Sequence, residues 1–464
     1  MSSIPDDFSE FSVQKEVAAQ PRTRLGLFSD FTRGFLQPKT RLFDALSHAY
    51  VLFFSRIRKV QVHVIRGLAK NTDKTLKIVF VGNELDANQF CSVTCSHVHE
   101  MCSLGSVPYS EVDRLLARIS TKPNLIVVHQ MWPFVETFKK HNFLIVPTVS
   151  FRLSLKGSSE EIIARMSRRR RRDLRKIGEC CFSHTVHSGD DAVFNYFYWK
   201  MHVPFVKRRF GKAAHIRSYD EVRYLYRHNG GIIFLKHDGR PVTAILFQIR
   251  GKALYALNFG AAQNNAPSQN EDVSGQAVLY YLIQWAKQNG MESLDYGVSL
   301  SFFRDGIFRY KREWGMGLTH RTEFFNWALK ISCVSGACPN FLTNNPFIVL
   351  DQEALKGLFF LDHKPSTAEL NQIYLDNHLP GLESIITLAY YKLQEPAKTP
   401  DGSDVECHAL ANVSPPLQEL CQLMHQAGYE TEVFEIKKPF TGNNQTPASN
   451  VSMSANPMDA KMSL

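Results

Sequence analysis

Between Gly230 and Phe259 the residue pattern leaves few options for the backbone. Three apolar runs, Gly231 to His237, Pro241 to Arg250 and Ala253 to Phe259, are separated by Asp238-Gly239 and Gly251-Lys252. Asp-Gly between two apolar runs is a hairpin signal, because both central residues must enter positive φ and few other pairs do so cheaply. The segment therefore reads as a three-strand antiparallel meander. After a polar loop, Ser274 is placed to cap a helix with an apolar stripe of Val278, Tyr281, Leu282, Trp285 and Ala286, closed by Asn289-Gly290. A short strand at Ser293 to Tyr296 follows. Then come a loop with Asp305-Gly306, a helical piece through Glu313, Gly315, and a strand from Leu318 to Phe325.

The rest of the chain is arranged around this segment. Its 464 residues imply two or three domains. Residues 1–40 are polar and irregular, and residues 41–150 form an N-terminal α/β domain. Within that domain, the basic, apolar stretch from Arg41 to Leu68 reads as a helix, either packed on the next domain or lying on an anionic membrane. Strand-like runs at Leu76 to Val81, Leu125 to His129 and Phe143 to Val149 alternate with helical spacing. Residues 151–327 carry the meander, residues 328–440 are a C-terminal extension with a linker, and the polar tail 441–464 is expected to be disordered.

Hydrophobic residues at 44% and charged residues at 21% exclude a wholly disordered chain and a polytopic membrane protein. No apolar run approaches a membrane span, and the start of the chain lacks the basic and apolar regions of a signal peptide. Nine cysteines, an odd number, read as reduced thiols. The expectation is a cytoplasmic protein, with peripheral membrane contact as a further option. A net charge of +10 points to a polyanionic partner without choosing among phosphate, nucleic acid and acidic lipid.

The order of meander, helix, strand, helix and strand resembles the acyltransferase fold of the GNAT superfamily, over about Phe151 to Trp327. More narrowly it resembles the FemAB-like branch. The residues that carry this are Asp295-Tyr296-Gly297, Asp305-Gly306 and Tyr310-Lys311-Arg312-Glu313-Trp314-Gly315, with the Arg-rich helix Ser167 to Lys176 and the stretches His202-Val203-Pro204 and Arg209-Phe210-Gly211 upstream. The resemblance implies an α/β (α+β) domain with a splayed mixed sheet, preceded by a second α/β domain that is a candidate degenerate copy. It also implies an N-acyltransferase or aminoacyltransferase in which an amine attacks an acyl-CoA or aminoacyl-tRNA directly. The developing oxyanion then needs a donor, which in this fold is an unpaired backbone N–H on the strand Ala253 to Phe259.

Candidate residues follow. Tyr310 is placed to protonate the leaving group, Lys311 to stabilise negative charge, and Asp295 to accept the amine proton; the structural alternatives are packing for Tyr310, solvation for Lys311 and a turn cap for Asp295. Donor binding is assigned to Phe259, Gly260, Ser274, Gly275, Gln276 and Ala277 around the central helix, where free N–H groups favour a phosphate. Asp272 departs from the coenzyme-A pattern there, and either repels a pyrophosphate or is carried aside by the loop from Ala261; the resemblance to FemAB-like enzymes implies aminoacyl-tRNA as the other donor. In the basic helix Arg170 falls within the apolar stripe, where a buried cation requires an anion, and Arg172 lies on an adjacent cationic face that is either suited to phosphates or simply a solvated face or localisation signal. Both are counted with donor binding. His202, Arg209 and Phe303 are placed on the acceptor side, His202 equally as a satisfied core histidine. The acceptor is an amine on a small molecule, a peptide or a lipid-linked molecule.

Cys91, Cys95, His97, His99 and Cys102 offer soft and imidazole ligands, but their spacing is poor for zinc and no metal is expected. Two other classes remain open: a non-catalytic module of the same fold that binds RNA or an anionic membrane, and a glycosyl- or nucleotidyl-transferase. The latter calls for a Gly-rich phosphate loop, and Val81-Gly82-Asn83 is too meagre.

Overall fold

The structure is a computed structural model that describes residues 59–118, 122–131, 142–211, 214, 216–262, 271–319, 325–351, 354–392, 413–437 and 451–453. In chain order the strands are β1 (Lys59–Ala69), β2 (Thr75–Val81), β3 (Cys95–Pro108), β4 (Leu125–Met131), β5 (Phe143–Ile145), β6 (Thr148–Ser154), β7 (Phe182–His187), β8 (Gly230–His237) and β9 (Arg240–Arg250). They continue with β10 (Ala253–Ala261), β11 (Ser293–Leu300), β12 (Gly317–Thr319), β13 (Phe325–Ile331), β14 (Phe347–Asp351), β15 (Ala354–Leu361), β16 (Ser384–Lys392), β17 (Tyr429–Ile436) and β18 (Val451–Met453). The helices are α1 (Glu84–Thr94), α2 (Val112–Arg118), α3 (Ser159–Ala164), α4 (Arg168–Glu179), α5 (Asp191–Asn195), α6 (Val203–Phe210) and α7 (Tyr219–Arg227). After them come α8 (Glu271–Gln288), α9 (Gly306–Glu313), α10 (Cys338–Asn344), α11 (Thr367–Asn377) and α12 (Pro415–Gln426). A π-helical turn, Tyr196–His202, joins α5 to α6.

The chain divides into two units. The first holds Ser150–Val298 and Tyr310–Thr319, and the second the described residues within 38–149, 299–309 and 320–464.

The first unit contains a seven-stranded sheet in the order β12-β6-β11-β10-β9-β8-β7. Its centre is the expected meander. Asp238 and Gly239 both have positive φ (51° and 76°), the conformation that a tight hairpin between twisted strands requires. α8 buries Ala277, Val278, Leu279, Leu282, Ile283 and Ala286, and ends as Gly290 turns to φ 72° while Met291 N–H bonds Ala286 O at 2.9 Å. A separate aromatic core of Phe194, Phe197, Tyr198 and Tyr226 from α5, the π turn and α7 packs with Ile232, Phe234, Ala244 and Leu246 of β8 and β9.

The second unit is built on an 11-stranded sheet ordered β18-β17-β16-β15-β14-β5-β13-β4-β2-β1-β3. Here three expectations are corrected. The stretch ending at Leu68 is not helical throughout: from Lys59 it is strand β1, paired with β2 and β3, because alternation of buried and exposed positions suits a sheet face. Its earlier part lies outside the described residues. The single strand expected from Leu318 to Phe325 is two strands in different sheets, β12 beside β6 and β13 beside β4 and β5. Finally, residues 41–150 and 328–440 are not separate pieces, since β13–β17 share one sheet with β1–β5. Strand pairing ignores sequence distance, so boundaries read from composition divided one sheet in two.

The tail also gives one strand, with Val451 opposite Val433, while residues 1–40 and most of 441–464 lie outside the described residues. Cys91 and Cys95 are buried at the end of α1 and start of β3, whereas His97, His99 and Cys102 are exposed along β3. No helix among the described residues is long and apolar enough to cross a membrane.

Candidate active site

The site lies where β10 and β11 part. They pair in parallel at Ala253↔Ser293, Leu254↔Leu294 and Tyr255↔Asp295 and no further, although β10 runs on to Ala261 and β11 to Leu300. On its other side β10 stays paired with β9 to Ala261↔Thr243, with a bulge between Ala256 and Asn258. Bulges bend a strand and redirect its main-chain groups. The register beyond the bulge fixes where those groups point. Ala262 N–H bonds Val242 O at 3.0 Å, and antiparallel pairs alternate between bonded and non-bonded, so the 260/244 and 258/246 pairs exchange bonds with β9. Phe259 therefore turns its N–H and C=O away from β9, toward the gap. The π turn backs this stretch closely: a Cβ on Gly260 would meet Met201 Cβ at 2.9 Å and His202 N at 3.0 Å.

His202 is buried at 4% exposure. Its Nδ1 lies 2.7 Å from Phe259 O and its Nε2 3.1 Å from Asn258 Nδ2. The carbonyl can only accept, so Nδ1 carries the proton and donates, and Nε2 accepts from the amide. Burial pushes the imidazole below its usual pKa, partly opposed by the Phe259 carbonyl, and Arg217 lowers it further. The ring is thus neutral and faces inward, satisfied by β10.

Tyr310 and Tyr296 form the second part. Their rings are 6.3 Å apart, and burial raises both phenols, Tyr296 well above the ordinary range. For Tyr310 the rise is opposed by the Arg170 guanidinium, 4.8 Å from its ring centroid, and more weakly by Trp314, Tyr296 and Arg209. Arg170 is the buried cation of the basic helix, at 4% exposure. Its counter-anions are the chain's own: Nη2 donates to Glu313 Oε2 at 2.8 Å and Nη1 to Asp173 Oδ2 at 3.3 Å. The guanidinium anticipated for a donor phosphate is thereby taken up by two carboxylates. Arg172 is exposed, in a row with Arg168, Arg169, Arg175 and Lys176.

Lys311 is buried at 3%, donates to Val298 O at 2.7 Å, and lies 5.5 Å and 5.7 Å from the rings of Phe151 and Tyr296. Asp295 is buried at 2%; its Oδ1 accepts from Gly297 N–H at 3.0 Å and its Oδ2 is 3.5 Å from Arg152 Nη2. It closes the turn in which Gly297 takes φ 69°.

Phe259 packs on Phe205 (4.8 Å) and reaches toward Gly275, and Arg209 lies over Phe205 at 5.9 Å. α8 begins at Glu271, so Ser274 is not its cap. Ser274 sits within the first turns, its carbonyl accepting from Thr243 Oγ1 at 3.2 Å. The helix's unpaired N–H groups accordingly lie upstream of Gly275, Gln276 and Ala277. Phe303 belongs to the second unit, buried against Phe308 and Phe359 at 5.2 Å and 4.7 Å.

Sequence reasoning missed Asn258, Glu313 as the partner of Arg170, and Tyr296 as the partner of Tyr310. Tyr296 and Glu313 were visible inside the quoted motifs. Asn258 was marked only as a polar residue in an apolar strand.

Comparison with known proteins bears on this same stretch. Residues 164–312 match the family model of the acetyltransferase (GNAT) domain. No curated protein matches the chain significantly. Among solved structures, the crystal structure of FemX is 11% identical with a TM-score of 0.31, covering 57% of this chain and 83% of that one. L-PGS from Bacillus licheniformis is 10% identical at a TM-score of 0.29, with the same coverage, and a GCN5-related N-acetyltransferase from Kribbella flavida 11% at 0.23, covering 61% and 92%. Likenesses this distant carry no inference about this chain. The family model is the finding that bears on it: the part of the chain that builds the splayed strands and their surroundings is similar to an acetyltransferase (GNAT) domain.

Proposed function

We propose that the protein transfers an acyl or aminoacyl group from acyl-CoA or aminoacyl-tRNA to an amine, by direct attack without a covalent protein intermediate. The observation that carries this reading is the parting of β10 from β11 after Tyr255↔Asp295, which leaves main-chain groups of β10 without a strand partner. A neutral amine attacks the activated carbonyl lodged in the gap. The Phe259 N–H, facing the gap, donates to the oxygen as it gains charge, a contribution of about 10²–10³ in rate for one such donor. Tyr310, whose phenol burial raises further above neutral pH, gives its proton to the departing thiolate or ribose oxygen, and the proton that the attacking amine loses passes through solvent to restore the phenol. Lys311, bonded to Val298 O, adds positive potential beside β11. Asp295 is engaged by Gly297 and Arg152, so its part in this reading is to shape the bend at Gly297 within β11.

Two features bear on the donor. The exposed cations of α4, Arg168, Arg169, Arg172, Arg175 and Lys176, suit the phosphates of a tRNA. The aromatic pair Phe205 and Phe259 next to Gly275 suits the chain of an acyl thioester. The test is incubation with acetyl-CoA and with charged tRNA separately, in the presence of a panel of amines, followed by mass spectrometry. Transfer from either donor supports the reading and names the donor. Transfer from neither, with a folded protein, favours a non-catalytic module that binds polyanions.

A further inference from the structure

When two strands part, each carbonyl and N–H facing the gap loses its ladder partner, and a buried carbonyl left so costs free energy. Phe259 O is a part-buried carbonyl turned from β9, and the group that satisfies it is the imidazole of His202 at 2.7 Å. The same ring holds the Asn258 side chain through its other nitrogen at 3.1 Å. Asn258 and Phe259 flank one peptide group, the one whose N–H belongs to Phe259. A single rigid ring thus grips the chain on both sides of the peptide that turns its N–H into the gap. The ring itself is fixed. It stacks on Phe197 at 5.8 Å with planes 12° apart, and it sits on the π turn, an uncommon geometry enriched at functional sites.

We propose that His202 is a positioning residue: as a neutral Nδ1–H imidazole it takes the place of the missing strand partner and sets the orientation of the Asn258–Phe259 peptide, and hence of the Phe259 N–H. This rests on the reading of the gap as an acyl-transfer site for its catalytic consequence, but not for its structural one. Val298 O, bonded to Lys311 Nζ, is a second carbonyl of these two strands satisfied by a side chain.

The variants are His202→Phe, which keeps the ring stack and removes both hydrogen bonds, and His202→Asn, whose side-chain amide places a donor near the position of Nδ1. Hydrogen exchange by mass spectrometry on the full chain reads the structural claim. In His202→Phe, amides of the peptide covering residues 256–262 should exchange at least tenfold faster than in the parent, with β8 unchanged, and His202→Asn should recover most of that protection. Steady-state transfer from acetyl-CoA reads the catalytic consequence. Since misplacing a reacting group by about 1 Å costs on the order of 10²-fold, kcat should fall about that much in His202→Phe, with KM for acetyl-CoA within threefold and partial rescue by His202→Asn. Unchanged exchange over residues 256–262 in His202→Phe overturns the proposal whatever the activity. So does a loss of protection spread equally over β8, which would mark a residue of general stability. If His202→Phe destabilises the fold as a whole, Asn258→Ala, which removes the partner of Nε2, decides: faster exchange confined to residues 256–262 supports the clamp, and parent-like exchange there refutes it. A parent protein that transfers from no donor defeats the acyl-transfer reading while leaving the exchange result to stand.

Discussion

Replacing Arg170 by methionine isolates the contribution of the one buried cation in the basic helix. Its side chain is 5% exposed, and those of its partners Glu313 and Asp173 are 18% and 19% exposed. Removing one member of a buried ion pair costs about 3–5 kcal/mol, because the remaining charge is left without compensation. Here both carboxylates keep some contact with water, so the lower end, about 3 kcal/mol, is the better figure. The guanidinium also sits 4.8 Å over Tyr310 and 5.8 Å over Trp314, which adds about 1 kcal/mol. Methionine keeps most of the apolar stem. A loss of about 3–4 kcal/mol results, on the order of 10 °C in the unfolding of a unit of this size. Because the chain has two units, the assay should report on this one alone: a urea titration followed by hydrogen exchange in peptides covering α4 and α9. The double variant Arg170→Met with Glu313→Gln removes the stranded charge as well and should recover at least about 1.5 kcal/mol of the loss. A single variant within about 1 kcal/mol of the parent, or a double variant whose losses simply add, would refute the ion-pair argument.

Three further outcomes are expected. Tyr310→Phe should lower kcat for the transfer by about 10²-fold with little change in KM, checked by thiol release from acetyl-CoA with an amine acceptor; an unchanged rate removes Tyr310 from the chemistry. Gly260→Ala drives a Cβ against Met201 and the backbone of His202, so thermal unfolding should show a loss of about 1–3 kcal/mol, and a neutral result would mean that the π turn yields without cost. Asp191 accepts from both Arg223 and Arg227, which hold its carboxyl at about 2 against an ordinary 3.8. A depressed carboxylate stabilises the fold above its unfolded value and loses that effect as pH falls through the folded one. The difference in urea midpoint between parent and Asp191→Asn should therefore be present at pH 5 and shrink below pH 3. Its size should stay under about 1 kcal/mol, since the pair is partly solvated; a gap that grows on acidification contradicts this assignment.

The sequence by itself determined what depends on neighbours along the chain. The meander, the Asp238-Gly239 turn, the stripe of α8 and its end at Gly290 follow from side-chain period and from backbone conformations that only a few residues adopt. It also marked Arg170 as a cation that burial would force to find an anion. What only the tertiary structure decided was which distant segments meet. Main-chain hydrogen bonding carries no residue code, so nothing in the sequence announced that β13 would lie between β4 and β5 or that Phe303 would join the second unit. The same applies to the place where β10 leaves β11, and to the carboxylates that meet Arg170, Glu313 and Asp173. His202 was open in sequence to either reading; its inward direction was fixed by a carbonyl on β10 that had lost its strand and needed a donor.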